Sequence, residues 1–381
     1  MVVSLLGTYF HILEIPIFIL ITVFGLIHIY KTGFKVNTRK PGLVIAVLAV
    51  LFLYISAVIL SALNAIELSL VIKSTLKWLL VFWGILFIFL FIETEKRFQF
   101  IYWFLFAACF LFILHTFIRI ASGEITFLSY RVFPGYESVL SLSLVLPFAG
   151  QKKLLTWPVA LGSFVAAIMS LSRGAWLAAF ATMLFAMFFL HQRIRRYIAG
   201  FTLLIILTVI FSPSLHELFN FKWTTVFSAV DASNVERFTL FRIAFKAFAS
   251  QPLIGIGSLN FPQYIIKEGL FQGLSAEKID ILQPHNTFLQ VLAEEGLIGL
   301  FFFTFFIFLI FFLVKNLAEF SSIEKRYIYG LQLFFIGMFF NFVLGYVASQ
   351  FRFFLMLMVG LLISATRLYA DKNADDMPKR G

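Results

Sequence analysis

The sequence predicts an all-α polytopic membrane protein with 11–12 transmembrane helices, and three observations support this fold class. Hydrophobic residues make up 61% of the 381 residues and charged residues only 13%, against roughly 45–50% and about 25% in soluble domains. The mean hydropathy is +0.97. Long apolar stretches alternate with short basic segments along the chain. A soluble fold has no interior large enough to bury this much apolar surface.

The spans are counted at about 20 residues each, because a helical residue adds about 1.5 Å across an apolar layer about 30 Å thick. The first apolar stretch, residues 2–30, is too long for one upright span and contains Pro16. It therefore forms one tilted helix or two short ones. Ten later spans are predicted near 42–63, 76–92, 99–118, 137–150, 154–171, 174–192, 197–213, 296–314, 327–347 and 353–369.

The basic residues predict the orientation of these spans. Eighteen of the thirty Lys and Arg residues fall in short segments at every second connection between spans, namely 31–41, 93–98, 151–153, 191–196, 315–326 and the C-terminal end from Arg367 onwards. Short basic loops stay in the cytoplasm, so we expect a cytoplasmic C-terminus. The net charge of +11 thus mainly reflects topology, and no nucleic-acid partner is expected.

One exported connection is much longer than the others and divides the chain into four parts. Residues 1–213 form an N-terminal transmembrane bundle, 214–295 a large exported loop before the third-last helix, 296–369 the C-terminal helices and 370–381 a cytoplasmic tail.

The exported loop is predicted to be partly helical. Residues 235–249 carry an apolar face at helical spacing, and Asn234 is the expected N-cap. The helix should end before Pro252, and its apolar face should lie on the membrane. That face consists of Phe238, Phe241, Ala244, Phe245 and Phe248.

Two exported positions carry arginines that could bind an anion. Arg173 stands where two apolar spans meet with almost no loop between them, so it either pairs and lines a polar cavity or reaches the interface by snorkelling. Arg237 and Arg242 lie on the predicted loop helix, and guanidinium groups bind phosphate oxygens in a bidentate fashion. The alternative for these two is a solvated helix face that touches anionic head groups.

A histidine lies just before the helix that re-enters the membrane. His285 could act as a general base on a sugar hydroxyl, since the unperturbed pKa of histidine, about 6.5, allows proton exchange near neutral pH. A single loop histidine can equally be structural. Asn286 beside it and Arg131, in a short exported turn near Pro134, complete the candidate substrate-binding residues.

Several common chemistries find no motif in this sequence. It has no phosphate loop, no dinucleotide glycine motif, no paired histidines at metal spacing and no Asp-x-Asp pair on the exported face. We therefore expect no cofactor and no metal site.

Three segments together resemble the O-antigen ligase superfamily, which includes O-antigen ligases, O-antigen and exopolysaccharide polymerases and bacterial O-oligosaccharyltransferases. The first is Leu-Ser-Arg-Gly-Ala-Trp-Leu at 171–177. The second places Arg237 fifteen residues before Pro-Leu-Ile-Gly-Ile-Gly at 252–257. The third is His285-Asn286 followed after nine residues by Gly-x-x-Gly at 296–299.

The resemblance implies a metal-independent, inverting membrane glycosyltransferase of the C-type architecture, located in the bacterial inner membrane with its active site on the periplasmic face. The expected donor is a glycan on undecaprenyl diphosphate, held by Arg173 and Arg237. His285 matches the histidine that activates the acceptor hydroxyl. Arg131 matches more loosely, and Arg242 has no counterpart and remains a candidate from its position alone.

The acceptor distinguishes the functions within this superfamily. We favour a ligase that transfers the glycan to lipid A-core, because the His-Asn-x9-Gly-x-x-Gly pattern is most typical of ligases. A polymerase of the same superfamily would instead extend another lipid-linked glycan. A polysaccharide transporter or flippase is the alternative from another class, although the charged spans and broken helices in matched halves expected of such proteins are not evident.

Overall fold

The computed structural model describes residues 41–123, 134–149, 156–170, 172–189, 232–271, 282–320, 323–345 and 349–375, with a few single positions elsewhere. In these ranges the chain is helical and contains no strand. The helices are α1 (Pro41–Leu60), α2 (Leu68–Phe91), α3 (Glu95–Ala121), α4 (Gly135–Val145), α5 (Thr156–Met169), α6 (Arg173–Phe189), α7 (Ala232–Ser250), α8 (Phe261–Lys267), α9 (Thr287–Phe320), α10 (Lys325–Leu344) and α11 (Ser349–Asp375).

Six of the described helices are long and apolar enough to cross a membrane, which confirms the predicted all-α polytopic fold. They are α1, α2, α3, α9, α10 and α11. The predicted spans at 2–30 and 197–213 lie outside the described residues. The two helices predicted at 137–150 and 154–171 are α4 and α5, which have only 11 and 14 residues and are shorter than the roughly 20 residues of an upright crossing.

Helix α11 forms the centre of the bundle and packs against α2. Helix α9 packs against α1, and α10 packs against α4 and α6. In the most apolar stretch of α11, 89% of the residues are buried, against 28% in α3. Helix α11 is therefore an internal helix, and α3 presents most of its surface to the lipid.

Helix α7 starts earlier than predicted and has two apolar faces. It begins at Ala232, so Asn234 lies inside the helix and the prediction of Asn234 as N-cap was wrong. One face, Leu240, Ile243, Ala244 and Ala247, is buried against α8 and the loop that follows α7. Phe238 and Phe245 are instead 63% and 56% exposed.

Helix α9 is broken at Gly296, where the backbone adopts φ 68° and ψ −163°. The loop after α7 fills the break. The Leu297 and Ile298 amides donate to the carbonyls of Pro252 and Leu253 at 2.9 and 3.1 Å, and the Ile256 and Gly257 amides donate to Ala293 and Glu294 at 3.1 and 3.0 Å. The glycine-rich motif at 252–257 therefore joins α7 and α8 to α9.

Replacing Gly296 with alanine is expected to destabilise the protein by about 2–3 kcal/mol, because this backbone region is almost exclusive to glycine. A Cβ at this position would also lie 2.5 Å from the Leu253 carbonyl carbon and oxygen. The melting temperature of the purified protein in detergent measures the effect. Gly162→Ala in α5 is the matched control, since a Cβ there meets nothing within 4 Å. Equal melting temperatures for the two variants would contradict the role given to the break.

Candidate functional site

The predicted arginines lie where the membrane bundle meets α7. Arg173 is the first residue of α6, and its Nη1 donates a hydrogen bond of 2.8 Å to Asn234 Oδ1 of α7. Arg237 follows Asn234 by three residues and is thus its neighbour one turn along α7. Both arginine side chains are half-buried. The structure therefore brings Arg173 and Arg237 to one junction, although 64 residues separate them in the sequence.

Two residues at the start of α4 belong to the same junction and were not predicted from the sequence. The Tyr136 hydroxyl lies directly against Gly174, beside Arg173, and Tyr136 is close enough to Arg237 for an electrostatic interaction. Glu137 is only 8% exposed. Arg131, which the sequence placed just before this helix, lies outside the described residues.

His285 occupies a strained position before α9. Its φ of 50° lies in the left-handed region, which is uncommon for a residue other than glycine. Asn286 accepts a hydrogen bond from the Leu289 amide and donates one to the Val343 carbonyl, both at 2.9 Å. The amide thus caps α9 and ties it to the end of α10, so we assign Asn286 a positioning role.

The histidine segment reaches the arginine junction through the end of α10. Leu344 follows Val343, and its Cβ is 3.3 Å from the position that a Cβ on Gly174 would take. Asn286 therefore binds Val343, and the next residue, Leu344, lies against Gly174. Gly174 in turn lies against the hydroxyl of Tyr136, which interacts with Arg237. The segment that carries His285 is thus linked through the end of α10 to the junction of Arg173 and Arg237.

Three helices begin at this region, namely α4 at Gly135, α6 at Arg173 and α9 at Thr287. Each N-terminus carries about half a positive charge, because its first backbone N–H groups have no partner within the helix. These partial charges add to those of the two guanidinium groups, and helix N-termini commonly bind phosphate. The region is therefore suited to a multiply charged anion.

Arg242 is on a different side of α7. Five residues separate it from Arg237, which corresponds to about 140° around the helix, and its side chain is exposed. It shares this outer surface with Phe238, Phe245 and Lys246, and Lys246 forms an ion pair of 3.6 Å with Glu268. Its position fits contact with lipid head groups better than a place in an anion site at Arg237.

Within the described residues, no three His, Cys, Asp or Glu side chains lie close enough together to hold a metal ion. The charged groups that the structure does bring to the junction are the guanidinium groups of Arg173 and Arg237, with Glu137 beside them.

Comparison with known proteins identifies the domain that carries this site. Residues 158–304 match the family model described as O-antigen ligase, which confirms the resemblance predicted from the motifs. The matched range includes Arg173, Arg237, His285 and the break at Gly296. The chain has no significant match among curated proteins.

Proposed function

We propose that the protein transfers a glycan from undecaprenyl diphosphate to a sugar hydroxyl of lipid A-core. The proposal starts from the chain's O-antigen ligase domain, which is typical of glycosyltransferase-like membrane enzymes of that superfamily. The reaction takes place on the periplasmic face of the bacterial inner membrane. The observation that carries the proposal is the convergence of Arg173, Arg237 and three helix N-termini on one region beside His285.

The donor diphosphate occupies this positive region. Cleavage of the bond between the anomeric carbon and the phosphate oxygen leaves the electron pair on the diphosphate, so negative charge grows on the leaving group. Fixed guanidinium groups in a site shielded from water stabilise such charge more strongly than they would in bulk water. Arg173 and Arg237 therefore take the part that a metal ion has in other transferases.

His285 activates the acceptor. A sugar hydroxyl is a weak nucleophile, and the imidazole takes its proton as the oxygen attacks the anomeric carbon. Attack from the side opposite the departing diphosphate inverts the configuration at that carbon. Asn286 holds this segment against α10 through its bond to Val343, and the next residue of α10, Leu344, lies against Gly174 beside Arg173.

The polyprenyl chain of the donor remains in the membrane beside the exported helix. The outer surface of α7, with exposed Phe238 and Phe245 next to Arg242 and Lys246, has the composition of a helix that lies at the lipid interface. We infer that this surface rests on the head groups, while the side of α7 that carries Arg237 covers the diphosphate.

Deletion of the gene is expected to separate ligase from polymerase. In a ligase-deficient strain, lipid A-core remains free while full-length polymer accumulates on undecaprenyl diphosphate. A polymerase-deficient strain instead shows core capped with a single repeat unit. Gel analysis of lipopolysaccharide together with extraction of lipid-linked glycans measures both pools, and single-unit capping would contradict the ligase assignment.

A further inference from the structure

A second polar site lies inside the bundle, behind the break in α9. A small cavity is lined by residues of α1, α2, the loop after α7, α9 and α11. Its apolar walls are Tyr54, Trp78, Val291 and Phe303, and its polar lining consists of Ser258, Thr287, Gln290, Glu294, Glu295 and Arg352. None of these polar residues is used in the proposed transfer.

The two carboxylates are held in place by partners from the exported loop. Glu294 accepts hydrogen bonds from the Phe261 amide at 3.2 Å and from Gln290 Nε2 at 3.2 Å. Glu295 Oε1 accepts a bond of 2.6 Å from Ser258 Oγ. Ser258 is itself within 2.9 Å of Ser74 Oγ and donates its amide to Ser61 Oγ at 3.0 Å. The acidic pair thus connects α9 to both the loop and the first two helices.

Three oxygen atoms on cavity-lining residues of α9 make no hydrogen bond among the residues that the structure describes. They are Glu295 Oε2, Gln290 Oε1 and Thr287 Oγ1, on residues that are 3%, 7% and 2% exposed. The carboxylate and amide oxygens can only accept hydrogen bonds. Buried acceptors of this kind are normally satisfied, so these oxygens need a donor or a cation.

The charge of the site leads to the same requirement. Glu294 and Glu295 carry two negative charges, and the guanidinium of Arg352, stacked 5.4 Å from the centroid of the Trp78 ring, carries one positive charge. Arg352 interacts electrostatically with both carboxylates. Among the described residues, the other titratable side chain that faces them is Tyr54 of α1. With both carboxylates ionised, the described residues around the cavity leave one negative charge without compensation, which is strongly unfavourable in the interior.

We propose that this cavity binds one monovalent cation at Glu295, either a proton or a sodium ion, within reach of the unsatisfied oxygens of Gln290 and Thr287. Carboxylate, amide and hydroxyl oxygens are the ligand types that hard cations prefer. The cation neutralises the cluster and thereby strengthens the connection between Ser258 and α9. This inference does not depend on the proposed transferase activity.

The test is the thermal stability of the full chain in detergent, with unfolding monitored by tryptophan fluorescence. In one series sodium is exchanged for choline at constant ionic strength, and in a second series the pH is varied. A sodium site predicts a saturable rise in melting temperature of about 3–5 °C with sodium. A proton site predicts no response to sodium and a rise in melting temperature as the pH falls. In either case the response disappears in Glu295→Gln, which keeps an acceptor for Ser258 but removes the charge.

Glu268→Gln is the matched control, because Glu268 is an exposed carboxylate that pairs with Lys246, and this variant should respond as the wild type does. A wild-type protein that responds to neither cation would overturn the proposal, and so would an undiminished response in Glu295→Gln. If that variant does not fold, two measurements on the wild-type protein test the site instead. Binding of radioactive sodium detects a sodium site, and the infrared band of a protonated carboxylic acid detects a proton site. Absence of both contradicts the site.

Discussion

Replacing His285 with alanine is expected to lower the turnover of glycan transfer by about 10²–10⁴-fold, the contribution typical of a general base. The KM for the lipid-linked donor should change little, because the proposal assigns the diphosphate to arginines on α6 and α7. A loss confined to kcat indicates an interaction made in the transition state. Steady-state kinetics of the purified protein in liposomes, with donor and acceptor varied separately, measures both constants.

The control for this variant is His115→Ala, which removes the same side chain from α3, a lipid-facing helix with no part in the proposed site. It should retain wild-type kinetics and stability. Near-normal turnover in His285→Ala, with a melting temperature equal to that of the wild type, would rule out the general-base role and leave His285 as a structural residue of the turn before α9.

The second large effect is expected at the two arginines. Removing one preorganised donor to a developing negative charge typically costs about 10²–10³ in rate, so Arg173→Ala and Arg237→Ala should each reduce kcat/KM by this factor. Lysine at either position should restore only part of the activity, because it keeps the charge but lacks the planar fork of the guanidinium group. Binding of undecaprenyl diphosphate and transfer kinetics test the two variants.

Lys246→Ala provides the matched control, since it removes an exposed cation from α7, the helix that carries Arg237. Its donor affinity should remain that of the wild type. Unchanged donor binding in both arginine variants would show that the diphosphate lies elsewhere, whatever the effect of His285→Ala on turnover.

The sequence was sufficient to predict the membrane fold, because apolar stretches of bilayer length have few alternatives. It was less accurate at helix ends. Helix α2 begins at Leu68, eight residues before the predicted span, because Lys73 and Lys77 lower the local hydropathy without preventing helix formation. Long basic side chains at the end of a span can extend to the interface while their stems remain in apolar surroundings.

The candidate site was predicted only in part, for a related reason. Arg173, Arg237 and His285 stood out because charged or titratable groups beside apolar spans are unusual, and their catalytic roles remain predictions. Tyr136 gave no comparable signal, since a tyrosine at the start of an apolar helix is ordinary. Its place beside Gly174 depends on how α4 packs against α6, which no local pattern encodes.

The burial of Glu294 and Glu295 is a second feature that no local sequence pattern encodes. The span predicted to start at residue 296 placed Glu294 and Glu295 in the preceding loop. In the structure they lie inside α9 and are 1% and 3% exposed. Their burial depends on Ser258, Phe261 and Arg352, which are distant in sequence and meet them only because the loop at 252–257 pairs with the break at Gly296.

The most direct test of the proposed activity is product analysis with the protein reconstituted alone in liposomes, supplied with a labelled undecaprenyl-diphosphate-linked glycan and lipid A-core. We predict one undecaprenyl diphosphate released for each glycan attached to the core, with an inverted anomeric linkage and with loss of both products in His285→Ala. Movement of intact donor across the bilayer without cleavage would instead identify a transporter and contradict the proposal.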